Sequence, residues 1–337
     1  MKVARVHLWV FTFLVLISVT SSCVGNESNF CADAPDISNQ KITINFEVLT
    51  EQLRNIEDIQ SAGQFLQKYP FYKALFLDVP PEADDSLAAS VLFKIMNNAS
   101  IDILYQEVKR SFGNFELLKQ EFIDAFSYFK HYYPSFEPPE IKVLYSGLVN
   151  DLYISDSLVL IGADFFIGPN ATYKPLNIPS YISKRYIKAH IVPSVIRYLS
   201  SAYIKIDQSD KSMLSEMVSW GKSYYFTKSM LPCSPDSIII QYSQSEIEGV
   251  TNNKNIIWAS FLQNQLIYES DHLIKRKFLE ERPITVEIGS DCPGRVGTWL
   301  GWEIVKAFML NHKDEDLHSL MENTNARDIF KRSSYKP

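Results

Sequence analysis

Histidines, cysteines and acidic residues are the groups that could carry catalysis or bind a metal in this chain. The six histidines are His7, His131, His190, His272, His312 and His318. No two of them are four residues apart and none lies in an HExxH motif, so the spacing that places two imidazoles on one helix face is missing. The sequence also lacks a GxSxG nucleophile elbow and a GxxxxGK[ST] phosphate loop. We therefore predict no catalytic residue, no metal ligand and no cofactor.

Acid–base chemistry by carboxylates is a weaker alternative. Asp164, Glu216 and Asp271 could pair in a cleft, but a sequence does not show which side chains meet. An exported hydrolase that uses groups around Asp164, His190 and Glu216 therefore stays open as a hypothesis.

Residues 292–309 form the most distinctive stretch, with three of the twelve glycines and two of the five tryptophans. Pro293 and Gly294 predict a turn, and apolar residues at helical spacing follow it. Gly297 and Gly301 lie four apart, which would leave a shallow groove on one helix face. Because each helical glycine costs about 1 kcal/mol relative to alanine, the pair favours a buried helix that a neighbour approaches closely.

A second interpretation gives the same stretch a binding role, through Arg295, Trp299 and Trp302. Arg295 would anchor a carboxylate or a phosphate at the start of the helix. Since a helix N-terminus disfavours a cation, Arg295 needs an acidic partner there. We expect Arg295, Gly297, Trp299, Gly301 and Trp302 to form either a partner site or a packing site.

The N-terminus predicts export and lipid anchoring. Lys2 and Arg5 precede an apolar run from Leu8 to Val19, which is short for a membrane-spanning helix and typical of a signal peptide. The small residues before Cys23 resemble a bacterial lipobox, which predicts a signal peptide over 1–22 and acylation of Cys23. Several acyl chains on one cysteine would hold the protein on a membrane of the cell envelope. A plain secretory signal cut near Ser22 is the alternative.

Net charge and cysteine content indicate which partners and which cellular compartment suit the chain. The formal net charge is −6, and removal of Lys2 and Arg5 from the 33 basic residues leaves 31 against 39 acidic ones, a net charge of −8. We predict no nucleic-acid partner, because phosphate binding needs a positive surplus. Outside the cytosol Cys233 could pair with Cys292, although sequence alone does not place two cysteines within bonding distance.

The remaining elements predict one predominantly helical α+β domain. Residues 23–40 lack an apolar period and predict a flexible tether, and 41–337 predict a single globular domain. A helical layer is expected over 47–133, followed by a sheet with helices over 140–312. Strands are predicted at 41–46, 140–145 and 153–161, which would give a small mixed or antiparallel sheet.

Five segments carry a resemblance to a known family when they are taken with the lipobox. They are LVLIGADFFIG at 158–168, IVPSV at 191–195, MVSWGK at 217–222, IWA at 257–259 and PGRVGTWLGW at 293–302. In this order the chain resembles the gliding-motility lipoprotein GldB family of Bacteroidota. The resemblance implies an envelope lipoprotein that supports gliding motility, with other envelope or gliding proteins as partners.

The same resemblance implies a zincin-like, degenerate metallopeptidase architecture. In zincins the helix corresponding to 187–199 would carry HExxH, and the position of Trp220 would hold a metal-binding glutamate. Neither is present, so the resemblance implies a silent cleft with a binding or assembly role. An envelope structural or binding protein unrelated to motility is the remaining alternative.

Overall fold

Four short strands form one mixed sheet. The computed structural model describes residues 31–40, 42–77, 79–80 and 82–337, and Cys23 and the predicted signal peptide lie outside them. The strands are β1 (Phe46–Val48), β2 (Glu140–Leu144), β3 (Leu152–Ile154) and β4 (Leu158–Gly162). Their order is β1-β2-β4-β3, where β1, β2 and β4 run parallel and β3 runs antiparallel to β4. The predicted small mixed sheet is confirmed, and β3 forms one of its edges.

Two strands differ from the sequence-based prediction. The first begins at Phe46, where the segment predicted as a strand ends. The strand predicted at 153–161 is a hairpin, because Ser155 closes a turn between β3 and β4: its N–H donates to the Leu158 carbonyl at 2.9 Å, and its Oγ accepts from the Leu158 N–H at 3.0 Å. Short polar side chains that bond to nearby backbone favour turns over a continuing strand.

Helices dominate the rest of the chain, as predicted. Between β1 and β2 the chain forms α1 (Thr50–Arg54), α2 (Ile59–Lys68), α3 (Pro70–Phe76), α4 (Asp85–Met96), α5 (Ala99–Phe112) and α6 (Glu116–Tyr132). After β4 the helices are α7 (Ser180–Ser183), α8 (Ile191–Ser200), α9 (Met213–Met230), α10 (Asp236–Ile240), α11 (Gln244–Asn252), α12 (Lys254–Gln263), α13 (His272–Leu279), α14 (Val296–Asn311), α15 (Leu317–Glu322) and α16 (Ala326–Ser333). Asp58, Asp84 and Asn98 cap α2, α4 and α5 by accepting backbone N–H groups.

Helices α9 and α14 approach each other at backbone distance. A Cβ on Gly301 would lie 1.9 Å from the Met217 carbonyl oxygen, and one on Gly221 would lie 2.3 Å from the Gly301 carbonyl oxygen. Only glycine permits backbones to approach this closely. The pair forms the centre of the larger of two apolar cores, while α1 to α5 and the outer face of the sheet enclose the smaller one.

One disulfide connects the N-terminal segment to the helical body. Cys31 bonds to Cys233, just after α9, while Cys292 is buried and free. The pairing of Cys233 with Cys292 considered from sequence is therefore wrong. It left out Cys31, which lies in the segment predicted as a tether and 202 residues away from its partner.

The described residues include no single helix that is both long and apolar enough to cross a membrane. Helices α4 and α5 meet that requirement only as a pair, across a 69° bend.

Candidate functional site

The structure places the glycines and tryptophans of the PGRVGTWLGW stretch in the interior. Trp299 and Trp302 are buried, as are Gly297 and Gly301. A Cβ on Gly297 would lie 2.7 Å from a methyl carbon of Leu279, in α13. The two glycines therefore admit two different neighbours, α13 and α9, and contact with a partner protein at this stretch stays a prediction.

Arg295 is also buried, and it has the acidic partner that its position requires. Its Nε lies 3.0 Å from Oε1 of Glu281, and its Nη1 and Nη2 donate to the carbonyl oxygens of Ile240 and Gln241 at 3.1 and 3.3 Å. Arg295 itself has a left-handed backbone, φ 60°, directly before α14. The guanidinium thus connects the start of α14 to the end of α10.

Glu281 extends this network to a large open cavity. Its second oxygen, Oε2, accepts from Nη1 of Arg185 at 2.5 Å, so one carboxylate bridges two arginines. Glu281 and Arg185 line a cavity of about 600 Å³ between α8, α9, the edge strand β3 and residues 182–186. We call this cavity the α8–α9 cleft.

Helix α8 presents one polar stripe to the α8–α9 cleft. His190 precedes the helix, and Ser194 and Arg197 follow it at four and seven residues, which is helical spacing. The opposite face of α8 is apolar and packs in the core through Ile191, Val195 and related residues. Pro193 is tolerated because it stands in the first turn, where no backbone N–H donor is needed.

His190 is a neutral imidazole with a free acceptor. Its Nδ1 lies 2.7 Å from the Arg185 carbonyl oxygen, which can only accept, so Nδ1 carries the proton and Nε2 does not. Burial lowers the pKa of His190, and the nearby guanidinium groups of Arg185, Arg197 and Arg295 lower it further. Nε2 is buried and has no hydrogen-bond partner among the described residues.

The cleft does not assemble a nucleophile with a base. Ser194 Oγ donates to the His190 carbonyl oxygen at 2.7 Å and accepts from Gln241 at 2.6 Å, so it is not aimed at the imidazole. Asp164 is buried elsewhere, where it accepts the N–H groups of Ser146 and Leu148. Glu216 pairs with Lys275. The described residues that line the cleft therefore include His190 but not the two acids that a hydrolase was expected to use with it.

Arg197 is the cation of the cleft that lacks an acidic partner. Its guanidinium lies 6.0 Å from the ring centre of Trp220 and hydrogen-bonds to the side chain of Tyr224. Within the described part of the chain no carboxylate forms an ion pair with it, and Glu281 acts on it only at longer range. Burial lowers the pKa of Arg197, and the charge of Arg295 lowers it further.

Charged side chains of both signs line the cleft. Arg185 and Arg197 lie there together with Glu281 and Asp151, and Asp151 accepts from the Tyr186 hydroxyl at 2.9 Å. Arg295 contacts Glu281 but does not line the cleft itself. The charges of the lining therefore balance, and Arg197 offers its positive charge to the cleft without an ion pair among the described residues.

The two segments that the zincin resemblance aligns with metal ligands do line one cavity. The cavity-lining residues of these segments are His190, Ser194, Arg197, Tyr198 and Trp220, of which only His190 offers a strong metal ligand. In the part of the chain that the structure describes, no cluster of three or more histidines, cysteines and acidic residues is suitable for a metal ion. The zincin-like architecture itself stays a prediction.

Sequence analysis missed most of the residues that line the cleft, including Arg185, Ser194, Arg197, Gln241 and Glu281. One signal was present: His190, Ser194 and Arg197 interrupt an otherwise apolar helix at positions i, i+4 and i+7. No comparable pattern identified Glu281, which lies in a charged segment that reads as exposed surface.

Comparison with known proteins gives one match. A family model described as "Gliding motility protein GldB" matches residues 31–337. No curated protein and no solved structure matches the chain.

Proposed function

Because the chain belongs to the gliding motility protein GldB family over residues 31–337, we propose that it is a cell-envelope lipoprotein that supports gliding motility by binding and not by catalysis. Cys23 would carry the lipid anchor. The α8–α9 cleft would hold a partner of the motility machinery or of the secretion system linked to it.

The absence of a nucleophile–base pair in the described cleft supports the binding role. Among the described residues His190 has no carboxylate partner that would orient or charge it, and Ser194 is engaged with backbone and amide groups. General acid–base or nucleophilic catalysis needs such partners within hydrogen-bond reach. The arginines and the apolar wall of the cleft are instead the groups that recognise a ligand.

Colony spreading tests the motility role. In a gliding strain whose own family member is deleted, we expect this chain to restore spreading and the Cys23→Ala variant to appear in the soluble periplasmic fraction with reduced function. A deletion that leaves spreading unchanged would contradict the motility role. A Cys23→Ala protein that stays entirely with the membrane would contradict the anchor.

Cleavage of a peptide pool by the purified protein tests the non-catalytic role. We expect the pool to remain intact. Cleavage that disappears in the His190→Ala variant would show that the cleft is an active site and overturn the binding role.

A further inference from the structure

We infer that the α8–α9 cleft binds an extended peptide segment, whose backbone pairs with the outer edge of β3 and whose single carboxylate pairs with Arg197. This inference rests on the binding role proposed above and names the chemical class of its ligand.

The charge of Arg197 supports an acidic ligand. Arg185 and Arg295 share Glu281, whereas Arg197 forms no ion pair with a carboxylate in the described part of the chain and lies over the face of Trp220. Arg197 is partly exposed in the cleft, so an arriving carboxylate could reach it and form charge-assisted hydrogen bonds. The planar fork of arginine matches the two oxygens of a carboxylate.

The outer edge of β3 offers backbone groups to which an extended peptide could bond. Asp151 and Ser155 bond to Gly162 and Leu158 across the hairpin, so in an antiparallel pair the backbone groups of Leu152 and Ile154 point away from β4. Leu152 and Ile154 both line the cleft. The Leu152 N–H is already bonded to Asp151, which leaves the Ile154 N–H and the two carbonyl oxygens for an added strand.

The apolar wall of the cleft suits the side chains of an extended peptide. Phe166, Ile182 and Trp220 form this wall and can cover such side chains.

The charge balance favours a carboxylate over a phosphate. Arg185 and Arg197 line the cleft together with Glu281 and Asp151, so the lining carries no net charge. A carboxylate adds one negative charge to this lining, whereas a phosphate group adds close to two at neutral pH. The smaller added charge is the one that a single guanidinium, Arg197, can accommodate.

A peptide array tests the inference. The full chain, purified in detergent, is applied to short peptides in which one Asp or Glu is replaced by Asn or Gln, each synthesised with a free and with an amidated C-terminus. We expect acidic peptides to bind about tenfold or more tightly than their amide counterparts, since a hydrogen bond to a charged group is typically that strong. The free and amidated series separate a side-chain carboxylate from a C-terminal one.

Three variants make the test specific. Arg197→Gln should abolish the preference for acidic peptides, and Arg197→Lys should retain part of it because the charge remains but the fork is lost. Arg54, in α1, forms an exposed ion pair with Asp102. Arg54→Gln removes an equal charge there and should leave the preference for acidic peptides unchanged. Circular dichroism and thermal unfolding establish that all three variants are folded.

Several results would overturn the inference. They are equal binding of acidic and amide peptides, an unchanged preference in Arg197→Gln, or tighter binding of phosphoserine peptides than of glutamate peptides. Failure of this test with normal spreading would reject the ligand and leave the motility role standing. Acidic-peptide binding without any spreading defect would reject the motility role and leave the ligand standing.

Discussion

Helix α9 packs tightly against α14 along one side and borders an open cavity along another. On one side the backbones of α9 and α14 meet: a Cβ on Gly221 would lie 2.3 Å from the Gly301 carbonyl oxygen, and one on Gly301 would lie 1.9 Å from the Met217 carbonyl oxygen. On the other side Trp220 is 40% exposed and faces a cavity of about 600 Å³. The first side has no room for a methyl group, while the second leaves a cation without an acid. The contrast distinguishes residues that hold the fold from residues that are available for a ligand.

Gly301→Ala should have the largest effect on the closed side. The new Cβ would lie 1.9 Å from the Met217 carbonyl oxygen, so α9 and α14 would have to separate. We expect a loss of more than about 3 kcal/mol in the free energy of unfolding, measured by urea denaturation, because overpacking against backbone leaves no side chain to move. Gly63→Ala in α2 is the matched control, since its nearest neighbour would be 3.8 Å away. Similar stabilities for both variants would contradict the close contact.

Lys222 tests the closed side through pH. Its Nζ donates to the carbonyl oxygens of Lys205, Met321 and Asn323, and burial lowers its pKa to about 8. Between pH 8 and 10.5 the unfolded chain therefore binds more protons than the folded one, and stability contributed by this group rises with pH.

Comparison with a Lys222→Met variant isolates that contribution. The stability of the wild type relative to the variant should increase by about 2 kcal/mol from pH 7.5 to pH 10. Burial also raises the pKa of Cys292 to about 12, which lowers stability with pH in both proteins and cancels in the difference. Parallel pH profiles for the two proteins would show that Lys222 is not buried as described.

Glu281→Gln should have an intermediate effect, because Glu281 connects the two sides. The amide keeps the shape of the carboxylate but loses its charge, so Arg295 remains buried without an anion. Glu281 is itself partly exposed, which limits the expected loss to about 1–2 kcal/mol. Glu280→Gln is the matched control, because its pair with Arg276 is a surface (i, i+4) interaction worth a few tenths of a kcal/mol. Equal thermal shifts in the two variants would contradict the bridging role.

The closed side was largely predictable from the sequence, and the open side was not. Gly297 and Gly301 predict close packing, because a glycine in a helix costs stability that a close neighbour must offset. Pro293 and Gly294 predict the turn before α14. These are local signals, and the structure has a helix at 296–311 where they place it.

The open side depends on contacts between residues far apart in the chain. Glu281 meets Arg185 and Arg295 across separations of 96 and 14 residues, and Cys31 meets Cys233 across 202. No periodicity encodes such pairs, since they follow from how finished elements pack. The sequence spacing of Ser194 and Arg197 indicates a polar stripe on α8. It does not indicate that Trp220 of α9 lines the same cavity.

Arg197→Gln should have the smallest effect on stability, and it decides whether the open side is a ligand site. The variant loses a cation–π contact with Trp220, which contributes about 0.5–1 kcal/mol at such sites. It also removes a partly buried charge that Arg295 repels, and the two changes should nearly cancel. Thermal unfolding should therefore match the wild type, while the preference for acidic peptides disappears. A loss of stability comparable to that of Glu281→Gln would instead place Arg197 among the residues that hold the fold, and the contrast between the two sides of α9 would no longer identify a binding site.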